Sequence, residues 1–182
     1  LLASSAGLFL LDGRSLTAEN VDVKYGLSDN TEVSALCKDL RGNIYIGTLL
    51  HGIFVYDGKL GESRHYKNIP GDRTSLSANR IECISEDQEG NIWIGTFEDG
   101  LNFFDPDGSV FEWIDLDRNE NFNIRVRDIV TDRFGRLWVG TYKGLYLKED
   151  GSRLFTLYAH NRFGISEITH NSIYDICIDK HD

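Results

Sequence analysis

Positive charge is scarce in this chain: 19 Lys and Arg stand against 29 Asp and Glu, a formal net charge of −10. A nucleic-acid binder needs a basic face to neutralise phosphates, so that class is excluded. The same deficit removes any attraction to an anionic membrane surface. No apolar run approaches the ~18 residues of a membrane-crossing helix, so attachment to a membrane would need a helix absent from this sequence. Cysteine is sparse and odd in number, with three residues and no CxxC pair. Cys37, Cys83 and Cys177 all fall in short apolar runs, where a small buried residue is the expected role. Methionine is missing altogether, and the two prolines, Pro70 and Pro106, sit in connections. The opening "LLASSAGLFLL" lacks the positive n-region of a signal peptide. The five histidines, His51, His65, His160, His170 and His181, show no HExxH spacing, and no Gly-x-Ser-x-Gly elbow occurs. No metal ligand, cofactor site or catalytic residue is assigned.

Repetition is what the chain has instead. "GNIYIGTLLHGIFVYD" runs from Gly42 to Asp57, "GNIWIGTFEDGLNFFD" from Gly90 to Asp105, and "GRLWVGTYKGLYLKED" from Gly135 to Asp150. Gly47 to Gly95 spans 48 residues and Gly95 to Gly140 spans 45. "LASSAGLFLLDG" at the start fits the same register. Each frame follows a lead-in ending in aspartate: Asp39, Asp87, Asp132 and, with no frame after it, Asp179. The chain thus opens inside one unit and stops inside another, as expected of a segment cut from a longer protein.

Each unit reads as four short strands: the lead-in, "NIWIGT", "GLNFFD", and a weaker aromatic run such as "SVFEWI". No stretch has a convincing amphipathic-helix period. In the second strand Ile92 and Ile94 point one way and Trp93 the other, so both faces must be covered. Asp-x-x-Gly before each second strand supplies a turn: Asp accepts local backbone hydrogen bonds and Gly takes a positive φ. Gly47, Gly95 and Gly140 lie inside strands, where glycine costs stability, which predicts a close approach of a neighbouring backbone or a large ring. Four antiparallel strands at a period of 45 to 48 residues predict an all-β chain, a β-propeller of about four blades' worth. The expected division is a cut blade at 1–29, blades at 30–78, 79–122 and 123–169, and the first strand of a next blade at 170–182. The two cut ends are complementary, so a closed four-bladed ring competes with an arc of a larger ring. An open arc would expose apolar blade faces, and such faces tend to associate.

Positions that break the repeat are the candidates for binding. One set lies between strands two and three: "LLH" at 49–51, "FED" at 97–99 and "YK" at 142–143. The other lies at the start of the first strands: Arg80 and Glu82, Arg125 and Arg127, Tyr174 and Asp175. Both sets should reach the same face near the channel mouth. His51, Arg80, Glu98, Asp99, Arg125, Tyr142, Lys143 and Tyr174 are therefore the candidate ligand-binding residues, suited to hydrogen-bonding or pairing with a sugar acid. Trp93, Trp138 and Tyr45 share one repeated slot, which points to packing between blades. Glu98 and Asp99 are adjacent in sequence and do not form the facing carboxylate pair of a glycosidase.

The motif Asp-x-x-Gly-Asn-Ile-Trp-Ile-Gly-Thr followed by Gly-Leu, carried by residues 87–101, resembles the two-component regulator propeller repeat. The other copies depart from it at Tyr45 and Arg136. The resemblance spans nearly the whole chain and implies an arc of a seven-bladed propeller. It implies the periplasmic part of a hybrid two-component sensor histidine kinase of Bacteroidetes, acting as a homodimer. The implied role is detection of an oligosaccharide or sugar acid and control of polysaccharide-utilisation genes. The kinase itself would lie outside these residues. A propeller lyase or glycosidase, or a structural protein-binding propeller, are the alternatives.

Overall fold

The computed structural model describes the 182-residue chain except for residues 108, 119–123, 161–167 and 180–182. It is a succession of antiparallel sheets, each with its strands in sequence order. The first sheet has three strands, β1 (Leu2–Ser4), β2 (Gly7–Leu11) and β3 (Ala18–Asn20). The second has β4 (Val33–Lys38), β5 (Ile44–Thr48), β6 (Ile53–Tyr56) and β7 (Ser63–Tyr66). The third has β8 (Ile81–Glu86), β9 (Ile92–Thr96), β10 (Leu101–Asp105) and β11 (Val110–Ile114). The fourth has β12 (Val126–Thr131), β13 (Leu137–Thr141), β14 (Leu145–Lys148) and β15 (Phe155–Tyr158). Among the described residues the helical content is one 3-10 turn, Val23–Tyr25.

The hydrophobic cores lie between sheets, as strands apolar on both faces require. Ile92 and Ile94 join Tyr45, Ile53, Phe104 and Phe111 in the seam between the second and third blades. Trp93 faces the other way, into a core with Leu101, Val126, Leu137, Val139 and Tyr146 between the third and fourth. A third core around Leu8, Tyr25, Val33, Ile46 and Phe54 joins the first blade to the second. Burying each such side chain fully stabilises by about 1.5–3 kcal/mol.

The in-strand glycines have a different reason from the one expected. A Cβ on Gly47 would lie 2.6 Å from Ile81 Cγ2, one on Gly95 2.5 Å from Val126 Cγ1, and one on Gly140 2.8 Å from Ile173 Cγ2. The approaching group is neither backbone nor ring. It is a β-branched side chain at the same repeat position each time: Ile81 and Val126 at the start of the next blade's first strand, and Ile173 in the strandless segment after the fourth blade.

The aspartate turns tie this packing together. Asp87 Oδ1 accepts the Asn91 amide at 2.9 Å, and its Oδ2 accepts the Asn91 side chain at 3.0 Å and the Trp93 indole N–H at 2.8 Å. Asp132 takes Trp138 at 2.9 Å, and Asp39 takes the Tyr45 hydroxyl at 3.2 Å. The aromatic slot therefore packs its ring in a seam and anchors its polar tip on its own turn. Tyr45 and Trp93 are buried, whereas Trp138, which faces no complete blade, is half-buried.

Among the described residues the closed four-bladed ring does not form. Residues 173–179 lie beside the fourth blade, where the Ile173 amide donates to the Thr141 carbonyl and the Ile176 amide to Asp128 Oδ2. They pair with no strand and leave the first sheet three-stranded. The other first strands are held by a hairpin partner within their own sheet; this stretch has none among the described residues. Its Cys177 is exposed, contrary to the buried role expected, while Cys37 and Cys83 are part-buried. Burial, and then Glu86, pushes the Cys37 thiol up to about 11. The boundary expected near 122–123, and 180–182 of the expected last strand, lie outside the described residues.

Gly95→Ala should overpack the third seam and cost about 1–3 kcal/mol in urea unfolding. Gly13→Ala, with nothing within 4 Å of the new methyl, should leave the midpoint unchanged. Burial pushes the Asp132 carboxyl up, but the Trp138, Arg136 and backbone donors outweigh it and hold its pKa below the usual value. Its contribution is thus complete above the unfolded pKa of about 3.9 and is lost as pH falls through the folded value. Asp132→Asn should cost about 1.5–3 kcal/mol at pH 7. It should also flatten the acid limb of a stability–pH curve.

Candidate functional site

Successive antiparallel strands alternate in direction, so the β5–β6, β9–β10 and β13–β14 connections share one end of the arc with the starts of β4, β8 and β12. Backbone bonds confirm the shared end: the Leu49 amide donates to the Glu32 carbonyl at 3.1 Å, and the Phe97 amide to the Arg80 carbonyl at 3.0 Å. Each connection is also closed on itself. The hydroxyls of Thr48, Thr96 and Thr141 donate to the carbonyls of Gly52, Gly100 and Gly144 at 2.8–3.0 Å. The same hydroxyls accept the amides of His51, Asp99 and Lys143. This explains the Gly-Thr of the repeat and leaves only side chains variable at this end.

Two of the candidate residues converge on a group that the sequence placed only within a loop. The Arg80 guanidinium lies 3.6 Å from the centroid of the Phe97 ring, and that of Arg125, from the next blade, lies 4.0 Å from it. Arg125 Nη2 pairs with Glu82 at 2.9 Å, and Arg80 Nε is 3.6 Å from the same carboxylate. One carboxylate thus serves two guanidinium groups. Beside them, Arg127 lies 4.3 Å from the Tyr174 ring. The Nε atoms of Arg80, Arg125 and Arg127 are buried and donate no hydrogen bond to the protein.

A β-bulge creates this arrangement. The register between first and second strands shifts at Val33/Ala35, Ile81/Cys83 and Val126/Asp128. The extra residue is Ser34, Glu82 and Arg127 in turn, and Tyr174 holds the equivalent place after Ile173. A bulge re-aims a side chain and locally bends and twists its strand. Here they bring Glu82 to Arg125 and Arg127 to Tyr174. Close by, Asp128 accepts the Ile129 and Ile176 amides, and burial, followed by neighbouring Asp175, pushes its pKa up.

The remaining candidates do not join the cluster. His51 lines a separate cleft of about 320 Å³ between the first two blades, with Ser28, Asn30 and Glu32. Its carbonyl lies 2.6 Å from His65 Nε2. Lys143 Nζ is engaged by Asp117 at 2.8 Å, and Asp117 also accepts the Tyr146 hydroxyl. Burial opposes ionisation of Asp117, but those two donors prevail and lower its pKa. Glu98 and Tyr142 are exposed, and burial, then Glu98, raises the Asp99 pKa. Among the described residues no group of three or more His, Cys, Asp or Glu could hold a metal ion. No helix among them is long and apolar enough to cross a membrane.

Residues 75–98 and 119–143 match a family model described as "Two component regulator propeller". Each match runs from before a first strand, through its hairpin, to the loop that follows. No protein of curated function matches the sequence. Among solved structures, the extracellular domain of a B. thetaiotaomicron protein described as a one component system superposes with a TM-score of 0.75 at 22% identity, over 98% of this chain and 23% of that one. An extracellular domain described as a hybrid two component system of the same organism gives 0.61 at 18%, over 98% and 28%. Virginiamycin B lyase from Staphylococcus aureus gives 0.53 at 12%, over 71% and 42%. This chain therefore spans less than a third of those two B. thetaiotaomicron domains. By fold along its length the chain is a run of β-propeller blades, and residues 75–98 and 119–143 of it match the two component regulator propeller model.

Proposed function

We propose that these blades belong to the extracytoplasmic, periplasmic sensing region of a hybrid two-component sensor histidine kinase and bind an anionic glycan fragment. The observation that carries the reading is the arginine cluster. Three guanidinium groups have buried Nε atoms that donate to no protein group, and two of them share the Glu82 carboxylate, in a chain of net charge −10. A surface ion pair would have matched each cation. Stacked, under-neutralised arginines suit a planar carboxylate, which guanidinium groups bind through paired N–H donors. Arg80, Arg125 and Arg127 would hold the acid group, and Phe97 and Tyr174 would fix their planes. His51, Glu98, Asp99, Tyr142 and Lys143 would meet other parts of a longer oligosaccharide.

The cluster bridges the third and fourth blades and touches the segment that follows. A ligand there would favour one arrangement of these elements, and in a homodimer that bias is a signal. The catalytic kinase domain and the control of polysaccharide-utilisation genes would belong to other parts of the parent protein.

Calorimetric titration of the intact protein with acidic and neutral oligosaccharides tests this, with each sugar recovered afterwards by chromatography. An acidic oligosaccharide should bind and return unchanged, and Arg125→Ala or Arg80→Ala should weaken it about tenfold. A shortened or unsaturated product would establish a lyase or glycosidase instead. Silence across the panel would leave a protein-binding scaffold.

A further inference from the structure

The seam between the third and fourth blades has a second end, and repeat positions change there. In the preceding seam, Phe104 packs at 5.3 Å from Tyr66 and 6.3 Å from Tyr45 and is almost fully buried. Only about 60 Å³ of space remains beside them. Strand register gives the equivalents one blade on. Leu101 pairs with Gly95, and Leu145 with Gly140, so Lys148 takes the place of Phe104. Ile53 pairs with Tyr66, and Leu101 with Ile114, so Ile114 takes the place of Tyr66. Two aromatic rings are lost against one gained, Phe103 at the place of Val55, and a groove of about 500 Å³ opens. That is within the ~300–1,000 Å³ of small-ligand sites.

The groove lies at the end of the arc opposite the arginine cluster. Its rims are the β8–β9 turn, with Glu89 and Asn91, and the β14–β15 turn, with Ser152 and Arg153. Its floor is apolar. Trp93 meets Phe103 edge-on at 5.2 Å and Phe155 at 6.5 Å, and its indole N–H is held by Asp87. Lys148 Nζ stands 5.9 Å from the Trp93 ring centroid. Among the described residues neither Lys148 nor Arg153 makes an ion pair, although carboxylates outnumber cations in the chain. Glu112 lines the same groove as an acceptor.

We propose that this groove is a separate binding site for a small amphipathic carboxylate bearing hydroxyl groups, of the uronate-glycoside class. Its apolar face rests on Phe103, Ile114 and Phe155. Its carboxylate meets Lys148 and Arg153, and its hydroxyls donate to Glu112. The site does not rest on the channel-mouth reading, since it shares no residue with the arginine cluster.

The probe is 4-nitrophenyl β-D-glucuronide, with the neutral 4-nitrophenyl β-D-glucoside as comparison. Binding to the intact protein is followed at the Trp93 indole N–H resonance, which reports this groove and not the other end. The glucuronide should shift that resonance with an affinity about tenfold above the glucoside. Lys148→Met should bring the two level. Lys148→Phe, which restores the aromatic filling of the preceding seam, should abolish both responses. No response to the glucuronide, or an affinity unchanged by Lys148→Met, would overturn the proposal. Should Lys148→Phe fail to fold, the methionine variant decides alone.

Discussion

Everything in this arc depends on one contact repeated from blade to blade: a β-branched side chain seated on a glycine of the preceding blade's second strand. Ile81 on Gly47, Val126 on Gly95 and Ile173 on Gly140 sit closer than any Cβ would allow. The glycine gives up strand stability so that two sheets can approach at their inner edges. The aromatic slot then fills the wider part of the same seam. Because the blades diverge outward, small residues belong near the axis and rings further out. A blade of this kind buries its faces through its neighbours: Leu8 is fully buried against the second blade, whereas Leu2 and Leu11, on the opposite face of the first sheet, are exposed.

Repetition explains why so much of the fold was legible in the sequence. The aspartate turn, the Gly-Thr loop clasp and the alternation of Ile92, Trp93 and Ile94 are local patterns, and each recurs in register. Their physics acts within a few residues, so spacing alone reveals it. The partner of the in-strand glycines was misjudged because it comes from about 30 residues further along the chain, as with Gly95 and Val126. Nothing near Gly95 distinguishes a ring from a methyl. Cys177 was misplaced for a related reason: its run looks like the other first strands, but among the described residues no strand pairs with it.

The arginine cluster was only half legible. Departure from the repeat singled out Arg80 and Arg125, whose guanidinium groups both meet the Phe97 ring. Their arrangement around Phe97, and the pairing of Arg125 with Glu82, depend on a bulge that inserts one residue into each first strand. The bulge has no composition signal of its own, since Ser34, Glu82, Arg127 and Tyr174 share no chemistry. It could have been found only by noticing that the β-branched seat and the lead-in are one residue too far apart for simple alternation. The same reasoning separates His51 and Lys143 from the cluster. The first belongs to another seam, and the second is consumed by Asp117.

The two ends of the third seam are physically joined. At one end Arg125 reaches across to Phe97 and Glu82, and at the other Lys148 reaches across to Trp93. Between them lies Val126 on Gly95, with no room for even a methyl group. A close-packed contact of that kind does not absorb displacement by local repacking. Sliding or opening the two blades there would break that contact, so the seam holds the arginine cluster and the groove as two separate places on one rigid pair of sheets.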